Sequence, residues 1–160
     1  MGKRLGIFTK PIHVEKIVNY LNQHAPEINY VISTSKHELA AYDFDVGISY
    51  CFPSIIDVDA KPQKPWYNFH PAPLPEYPGM ENYAIPIKKK VREFGVTLHM
   101  MTMEVDSGEI LSVERFRLAS EPVSTNELGT IAHYHLFQLF KKTVKKLAHA
   151  PKSKAEFDKL

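Results

Sequence analysis

The sequence predicts a three-layer α/β fold whose sheet is mostly parallel, with antiparallel strands late in the chain. Three observations carry this. The chain opens on a strand, an amphipathic helix and a second strand, the unit of a parallel crossover. Two further short runs read as strands: 45–50, where Val46, Gly47 and Ile48 suit a strand covered on both faces, and 66–70, with Trp66, Tyr67 and Phe69. Two β-rich runs near 95–103 and 109–118 are separated only by a turn sequence, which makes them an antiparallel pair.

The elements follow in order. Lys3 to Thr9 reads as the first strand, and Pro11 stands where a helix begins, with Val14, Ile17, Val18 and Leu21 at helical spacing behind it. Ile28 to Ser33 is a second strand rich in β-branched and aromatic residues, and Glu38 to Tyr42 is at most a short helix. Asp45 to Tyr50 is the third strand, with one helical turn expected over Ser54 to Ile56. Trp66 to His70 is the fourth. It empties into Pro71-Ala72-Pro73-Leu74-Pro75-Glu76-Tyr77-Pro78-Gly79, where four prolines forbid both helix and ladder, so a stiff loop is expected. Such a loop is where a cis proline bond is found, and Leu74-Pro75 is the candidate. Asn82 to Arg92 is a helix with Pro86 in or near its first turn, and the two late strands flank Asp106-Ser107-Gly108. Ser124-Thr125-Asn126-Glu127 is a capping box. Behind it Leu128, Ile131, Ala132, Leu136, Leu139, Phe140 and Leu147 form one long apolar face. Residues 1–150 are expected to form one domain, and 151–160 a frayed tail anchored by little more than Phe157.

Bulk properties exclude several function classes. The 160 residues carry 20 basic and 18 acidic side chains, a formal charge of +2, so no broad positive field marks a nucleic-acid binder. Lys88-Lys89-Lys90 and Lys145-Lys146 read as solvated helix faces. One cysteine, Cys51, rules out an intrachain disulfide and a multi-thiol zinc site, and suits a reducing cytoplasm. No signal-peptide pattern or long apolar run is present, so a cytoplasmic protein without membrane contact is expected.

The chemistry lies in the pairing of Asn68-Phe69-His70-Pro71 with Asp106-Ser107-Gly108. Asn68 and His70 share one side of an extended segment because strand side chains alternate with period 2. An amide and an imidazole at that spacing can both donate to a tetrahedral oxyanion, and losing one such donor typically costs roughly 100- to 1000-fold in turnover. Asp106 is the candidate to manage the proton of an attacking amine, and an ionised carboxylate beside His70 would favour its imidazolium and fix its tautomer. The formal base is either His70 or Asp106. Taken singly, each residue also fits a plain structural role in a turn or strand end. His99, inside the fifth strand, reads as a satisfied structural histidine, and Cys51 as a small buried hydrophobe. A cation site from His70, His99 and Asp106 fits on ligand type alone, but no His-x-x-x-His spacing supports it, and no metal is expected.

These motifs, in the order Asn68-x-His70-Pro71, the Leu74-Pro75 loop, Gly95-Val96-Thr97-Leu98-His99 and Asp106-Ser107-Gly108, resemble the 10-formyltetrahydrofolate-dependent formyltransferase family over roughly Asp45 to Arg117. The resemblance implies a Rossmann-like formyltransferase domain, 10-formyltetrahydrofolate as co-substrate, and Asn68, His70 and Asp106 as the catalytic set. It also implies a pterin pocket lined by Ile48, Tyr50, Cys51 and Phe52 after the third strand and by Met103 and Val105 of the late loop. Flat heteroaromatic rings take apolar walls with a few backbone partners, which strand ends of an open sheet supply. Ile48 and Phe52 fit a plain core role as well.

Within that family the resemblance points to members that formylate nucleotide-linked amino sugars of the 4-amino-4,6-dideoxyhexose type. Their Pro-x-Tyr-Pro-Gly loop is matched by Pro75-Glu76-Tyr77-Pro78-Gly79. Tyr77, Gly79, Asn82 and Tyr83 are the candidate substrate contacts, with Glu76 as a further hydroxyl partner. Glycinamide ribonucleotide is disfavoured because Thr9-Lys10-Pro11-Ile12-His13 replaces a glycine-rich phosphate cradle, and Pro11 has no N–H to offer. Initiator methionyl-tRNA is disfavoured by the lack of a basic C-terminal region. The first half of the chain is shorter than is usual in the family, and the C-terminal dimerisation elements of many amino-sugar members have no counterpart. Tyr134, Phe137 and Phe140 widen the apolar face of the last helix enough to suggest a homodimer surface. The alternatives kept open are a 10-formyltetrahydrofolate hydrolase, a transferase for another small amine, and a non-catalytic binding module.

Overall fold

The computed structural model describes residues 2–58, 64–79 and 83–160. Among the described residues six strands form one sheet: β1 (Leu5–Thr9), β2 (Tyr30–Ser33), β3 (Val46–Tyr50), β4 (Trp66–His70), β5 (Glu93–Met100) and β6 (Ile110–Arg117). Their order is β2-β1-β3-β4-β5-β6, parallel through β4 and antiparallel for β4–β5 and β5–β6. The helices are α1 (Pro11–His24), α2 (Ala84–Lys88), α3 (Thr125–Leu147) and α4 (Lys154–Asp158). Pro11 takes the first helical position of α1, where its missing N–H and fixed φ cost nothing. Ser124 caps α3 by accepting from the Glu127 N–H, as the capping-box sequence predicts, while the Glu127 carboxylate accepts from the N–H of Val123, one residue before the N-cap.

Strand parity sorts the side chains into two unequal layers. On one face Leu5, Ile7, Val46, Ile48, Tyr50, Tyr67, Phe69, Val96 and Leu98 pack with Ile17 and Leu21 of α1 and with the apolar stripe of α3 from Leu128 to Leu147. On the other face a smaller cluster of Phe8, Phe44, Ile56 and Trp66 is covered by partly buried loop residues, including Leu39, Tyr42 and Phe52. The only regular element over the chain between β2 and β3 is a 3-10 turn at Lys36–Glu38. Gly47 is required there, because a Cβ would lie 2.2 Å from the Trp66 indole. The second layer is therefore thin. That thinness leaves room for a cavity above the C-terminal half of β4.

Three expectations are corrected. Ser54 to Ile56 forms no helical turn: it runs as irregular chain and sends Ile56 into the smaller cluster. The helix expected over 82–92 is only α2, since Lys90 takes a positive φ of 54° and ends it before β5 begins at Glu93. The C-terminal segment is docked instead of frayed. Ser153 caps α4, Phe157 is 4% exposed within the main core, and Tyr67 donates its hydroxyl hydrogen to the Pro151 carbonyl at 2.6 Å. One buried aromatic suffices here because the backbone around it also finds partners, with the Lys154 N–H donating to Glu109.

Candidate active site

Asn68 and His70 project from β4 onto the thin face, with Phe69 between them in the main core. The antiparallel register sets His99 of β5 directly opposite Asn68. The Asn68 amide nitrogen lies 3.1 Å from His99 Nε2, and His99 Nδ1 donates to the Met100 carbonyl at 2.8 Å. That second bond places the Nδ1 proton, so in the neutral ring Nε2 is left to accept from Asn68. His70 is fixed in the opposite sense: its Nε2–H donates to the Tyr77 carbonyl at 2.8 Å, which turns Nδ1 toward Asp106.

Asp106 closes the group from the β5–β6 connection. Its Oδ1 lies 3.7 Å from His70 Nδ1 and 3.6 Å from His99 Nε2, and its side chain is 5% exposed. Oδ2 accepts the Gly79 N–H at 2.6 Å, tying this loop to the proline-rich one. Burial alone would push the carboxyl up, but the adjacent His99 and His70 rings and the Gly79 N–H outweigh it and hold it below the usual aspartate value. Asp106 adopts φ 56°, the left-handed region that side chains disfavour. Gly108 makes this turn possible, since a Cβ there would sit 1.7 Å from the Met100 carbonyl oxygen.

The loop after β4 is braced on several sides. Thr97 donates to the Ala72 carbonyl and accepts from the Leu74 N–H, Leu74-Pro75 is cis, and Glu76 forms a two-pronged ion pair with Arg115 at 2.8 Å for each contact. Glu76 is thus engaged with β6.

A cavity of about 640 Å³ opens over this group. Asn68, His70, His99 and Asp106 form its polar floor, and Phe52, Ile55, Ile56, Met101, Met103 and Val105 supply apolar walls. Of the six residues expected to line a pterin pocket, Cys51, Phe52, Met103 and Val105 border this cavity. Ile48 and Tyr50 do not: both are fully buried on the opposite face, within the main core. Among the expected substrate contacts, Gly79 borders the same cavity. The Tyr77 ring packs on Phe94 with centroids 5.6 Å apart and borders neither this cavity nor its neighbour. Tyr83 is buried against Phe94 and borders that second cavity, of about 620 Å³, with Lys10, Lys16, His13 and His133. Asn82 lies outside the described residues.

His99 is the residue that the sequence reading left out of the reacting group. The available signal was the pairing itself: two antiparallel strands put a residue of Gly95-Val96-Thr97-Leu98-His99 across from Asn68, on the same face.

Residues 13–130 match the Formyl transferase family model, well over half of the chain. The chain belongs to this family. A methionyl-tRNA formyltransferase from Roseiflexus sp. (strain RS-1) is 36% identical over 99 residues, which span 59% of this chain and 30% of that protein. The chain therefore spans less than a third of that curated relative. Among solved structures, a sugar N-formyltransferase from Shewanella sp. FDAARGOS_354 superposes with a TM-score of 0.76 at 17% identity, over 92% of this chain and 70% of the other. A glycinamide ribonucleotide transformylase from Symbiobacterium toebii gives 0.74 at 15% identity, over 94% and 89%. An N-formyltransferase from Helicobacter canadensis, in complex with folinic acid and dTDP-3-aminofucose, gives 0.70 at 20% identity, over 94% and 65%. At these identities the structures establish a shared α/β formyltransferase fold, with three amine acceptors represented among the relatives. Among the described residues no helix is long and apolar enough to cross a membrane.

Proposed function

We propose that this chain transfers the formyl group of 10-formyltetrahydrofolate to the primary amine of a nucleotide-linked amino sugar, of the 4-amino-4,6-dideoxyhexose type. The observation that carries the reaction class is the convergence of Asn68, His70, His99 and Asp106 on the floor of one apolar-walled cavity.

The amine nitrogen attacks the formyl carbon, the carbonyl oxygen takes the negative charge of a tetrahedral intermediate, and the bond from carbon to N10 then breaks. The amine loses one proton and N10 gains one, so the products are the N-formyl sugar and tetrahydrofolate. Asn68 gives one amide hydrogen to His99 and keeps a second for the oxyanion. With Nε2–H held by the Tyr77 carbonyl, the Nδ1–H that His70 carries when protonated is the second donor, and the carboxylate of Asp106 stabilises that imidazolium. Asp106 also manages the amine proton, directly or through His70. His99 is a positioning residue: by holding one Asn68 hydrogen it sets the direction of the other. Cys51, Phe52, Met103 and Val105 supply a slot for the flat pterin ring.

The acceptor reading rests on the Pro75-Glu76-Tyr77-Pro78-Gly79 loop and on the amino-sugar transferases among the fold relatives. Against a ribonucleotide acceptor stands the exit of β1, where Pro11 takes the first position of α1 and removes one N–H from the place a phosphate would dock. A cytoplasmic enzyme, with a homodimer through the Tyr134 face of α3, is part of the same proposal. The test is to incubate the protein and 10-formyltetrahydrofolate with a panel of amino-sugar nucleotides, glycinamide ribonucleotide and initiator methionyl-tRNA, and to weigh the products. A gain of one formyl group on the sugar nucleotides alone is expected. Formyl gain on another acceptor replaces the sugar assignment, and release of formate at a rate indifferent to every amine makes the protein a hydrolase.

A further inference from the structure

His13, Cys51 and His133 come from three separate elements, the first turn of α1, the residue after β3 and the middle of α3, and their ligand atoms all lie within 4.8 Å of one another. Cys51 Sγ is 3.8 Å from His133 Nδ1, and the two imidazole rings lie side by side with centroids 5.3 Å apart and planes 23° from parallel. His13 is 6% exposed. Cys51 is turned toward the helices by a φ of 51°, a left-handed conformation that carries a cost for a residue with a side chain. Among the described residues this is the one such group of three close nitrogen or sulfur donors. His13 and His133 border the 620 Å³ cavity on the helix-covered side of the sheet, while Cys51 also borders the 640 Å³ cavity that holds Asn68, His70, His99 and Asp106.

From this juxtaposition we infer that His13, Cys51 and His133 form a three-ligand site for a borderline transition-metal cation, zinc before all others, with a fourth position open to the 620 Å³ cavity. Two imidazoles and one thiolate are a donor set that selects zinc-like ions and rejects magnesium and calcium, which take oxygen ligands. Zinc bonds of about 2.0–2.1 Å to nitrogen and 2.3 Å to sulfur set neighbouring tetrahedral donors roughly 3.3–3.6 Å apart. The Cys51 and His133 pair is already near that spacing, and the remaining contraction is within reach of side-chain rotation. Because His13 and His133 border that cavity, three protein ligands would leave an open position, of the kind that also takes a water or an exogenous ligand. Binding releases the Cys51 thiol proton to solvent as the sulfur–metal bond forms, with no change of oxidation state.

The charges opposing a cation here are Lys10, which borders the same cavity, and Lys16, whose ammonium lies over the Tyr50 and Phe137 rings at 5.6 and 5.0 Å. Burial lowers the Lys16 pKa, with the neighbouring Cys51 pulling the other way. The sequence offered no hint of the site, because the one-cysteine count excludes only multi-thiol zinc, and residues 13, 51 and 133 carry no ligand spacing.

The test uses the tag-free full chain, stripped with a chelator and titrated with zinc against a chromophoric competitor, and separately with cobalt(II). One equivalent of zinc is expected. Cobalt should give the intense visible bands of a tetrahedral site together with a near-ultraviolet thiolate-to-cobalt band. Cys51→Ser should abolish the thiolate band, and Cys51→Ser, His13→Asn and His133→Asn should each weaken zinc binding at least tenfold, with circular dichroism reporting that the variants fold. Should a variant fail to fold, the cobalt spectrum of the parent protein decides. Stoichiometric cobalt without a thiolate band, or zinc binding unchanged by Cys51→Ser, overturns the inference, as does the lack of any zinc uptake. None of these outcomes depends on formyl transfer, so the site and the proposed reaction fail separately.

Discussion

Asp106→Asn is the substitution that most directly separates a reacting carboxylate from a turn residue. The asparagine has the same shape and keeps an oxygen for the Gly79 N–H, which reaches Oδ2 at 2.6 Å in the parent. What it removes is the negative charge facing His70 at 3.7 Å and His99 at 3.6 Å. At an effective dielectric near 20, a unit charge pair at that distance is worth about 4 kcal/mol before the desolvation of a buried carboxylate is subtracted. The net effect on folding is therefore expected to be small, about 1–2 kcal/mol near neutral pH, a loss of roughly 2–8 °C in melting temperature for a chain of this length. The effect on chemistry is expected to be large, roughly 100- to 10000-fold in kcat. The pH dependence has a definite sign. Asp106 has a folded pKa below its unfolded one, so its stabilisation is fully present above the unfolded value near 4 and is lost as pH falls through the folded value. Melting temperatures of parent and variant should thus differ by a constant amount where the carboxylate is ionised and converge in acid. Formyl transfer by mass, with thermal melts from pH 3 to 8, measures both. Transfer by the folded variant within tenfold of the parent would remove Asp106 from the reaction. A melting gap that widens toward acid would show that the carboxylate is not held in its ionised form by its neighbours.

Three more expectations follow from the same geometry. His99→Gln should lower kcat roughly tenfold or more with the folate KM nearly unchanged, because Asn68 loses the partner that aims its second N–H; equal activity in steady-state assays would return His99 to a structural role. Gly108→Ala forces a Cβ to within 1.7 Å of the Met100 carbonyl unless the turn moves, so transfer should collapse and stability fall by about 2 kcal/mol or more, read by chemical denaturation. Phe157→Ala removes the apolar anchor of α4 and should cost about 3 kcal/mol, with faster amide exchange over 152–160; a change within 0.5 kcal/mol would mean that the terminal segment adds little to the fold.

Strand periodicity made much of this molecule legible. Trp66 to His70 is a strand with the limits expected of it, and period 2 correctly sends Asn68 and His70 to one face and Phe69 to the other. The same rule placed Ile48 and Tyr50 on the face opposite Ser49, and so inside the main core, which the resemblance-based pocket assignment overlooked. His99 needed one more step. Its role follows from the register of β4 against β5, which tertiary bonds such as those from Thr97 to Ala72 and Leu74 hold across a long connection, and composition does not reveal them. The docking of 151–160 was hidden for a related reason. Phe157 is a single apolar residue in a charged stretch, and only the tertiary placement of Tyr67, whose hydroxyl holds Pro151, shows what it packs beside.

The two sides of the sheet explain why the reacting group is where it is. Helices α1 and α3 fill the face that carries Tyr67, Phe69, Val96 and Leu98, so polar groups pointing that way would be buried without water. Asn68, His70, Thr97 and His99 point the other way, where loops replace helices and a 640 Å³ cavity remains. Exchanging Asn68 and Phe69 should therefore do more than remove one donor. It would bury an amide against Phe140 and Tyr50, push a phenyl ring into the cavity floor, and leave His99 Nε2 without its partner. A buried amide without hydrogen bonds costs roughly 1–3 kcal/mol by mutational measures, and a misplaced phenyl adds overpacking of about the same size. Against a total stability of about 5–15 kcal/mol, a loss of 2–6 kcal/mol is the expected result in a denaturant titration of Asn68→Phe/Phe69→Asn. A swap tolerated within 1 kcal/mol would mean that the two faces are not as differently filled as this division of the core requires.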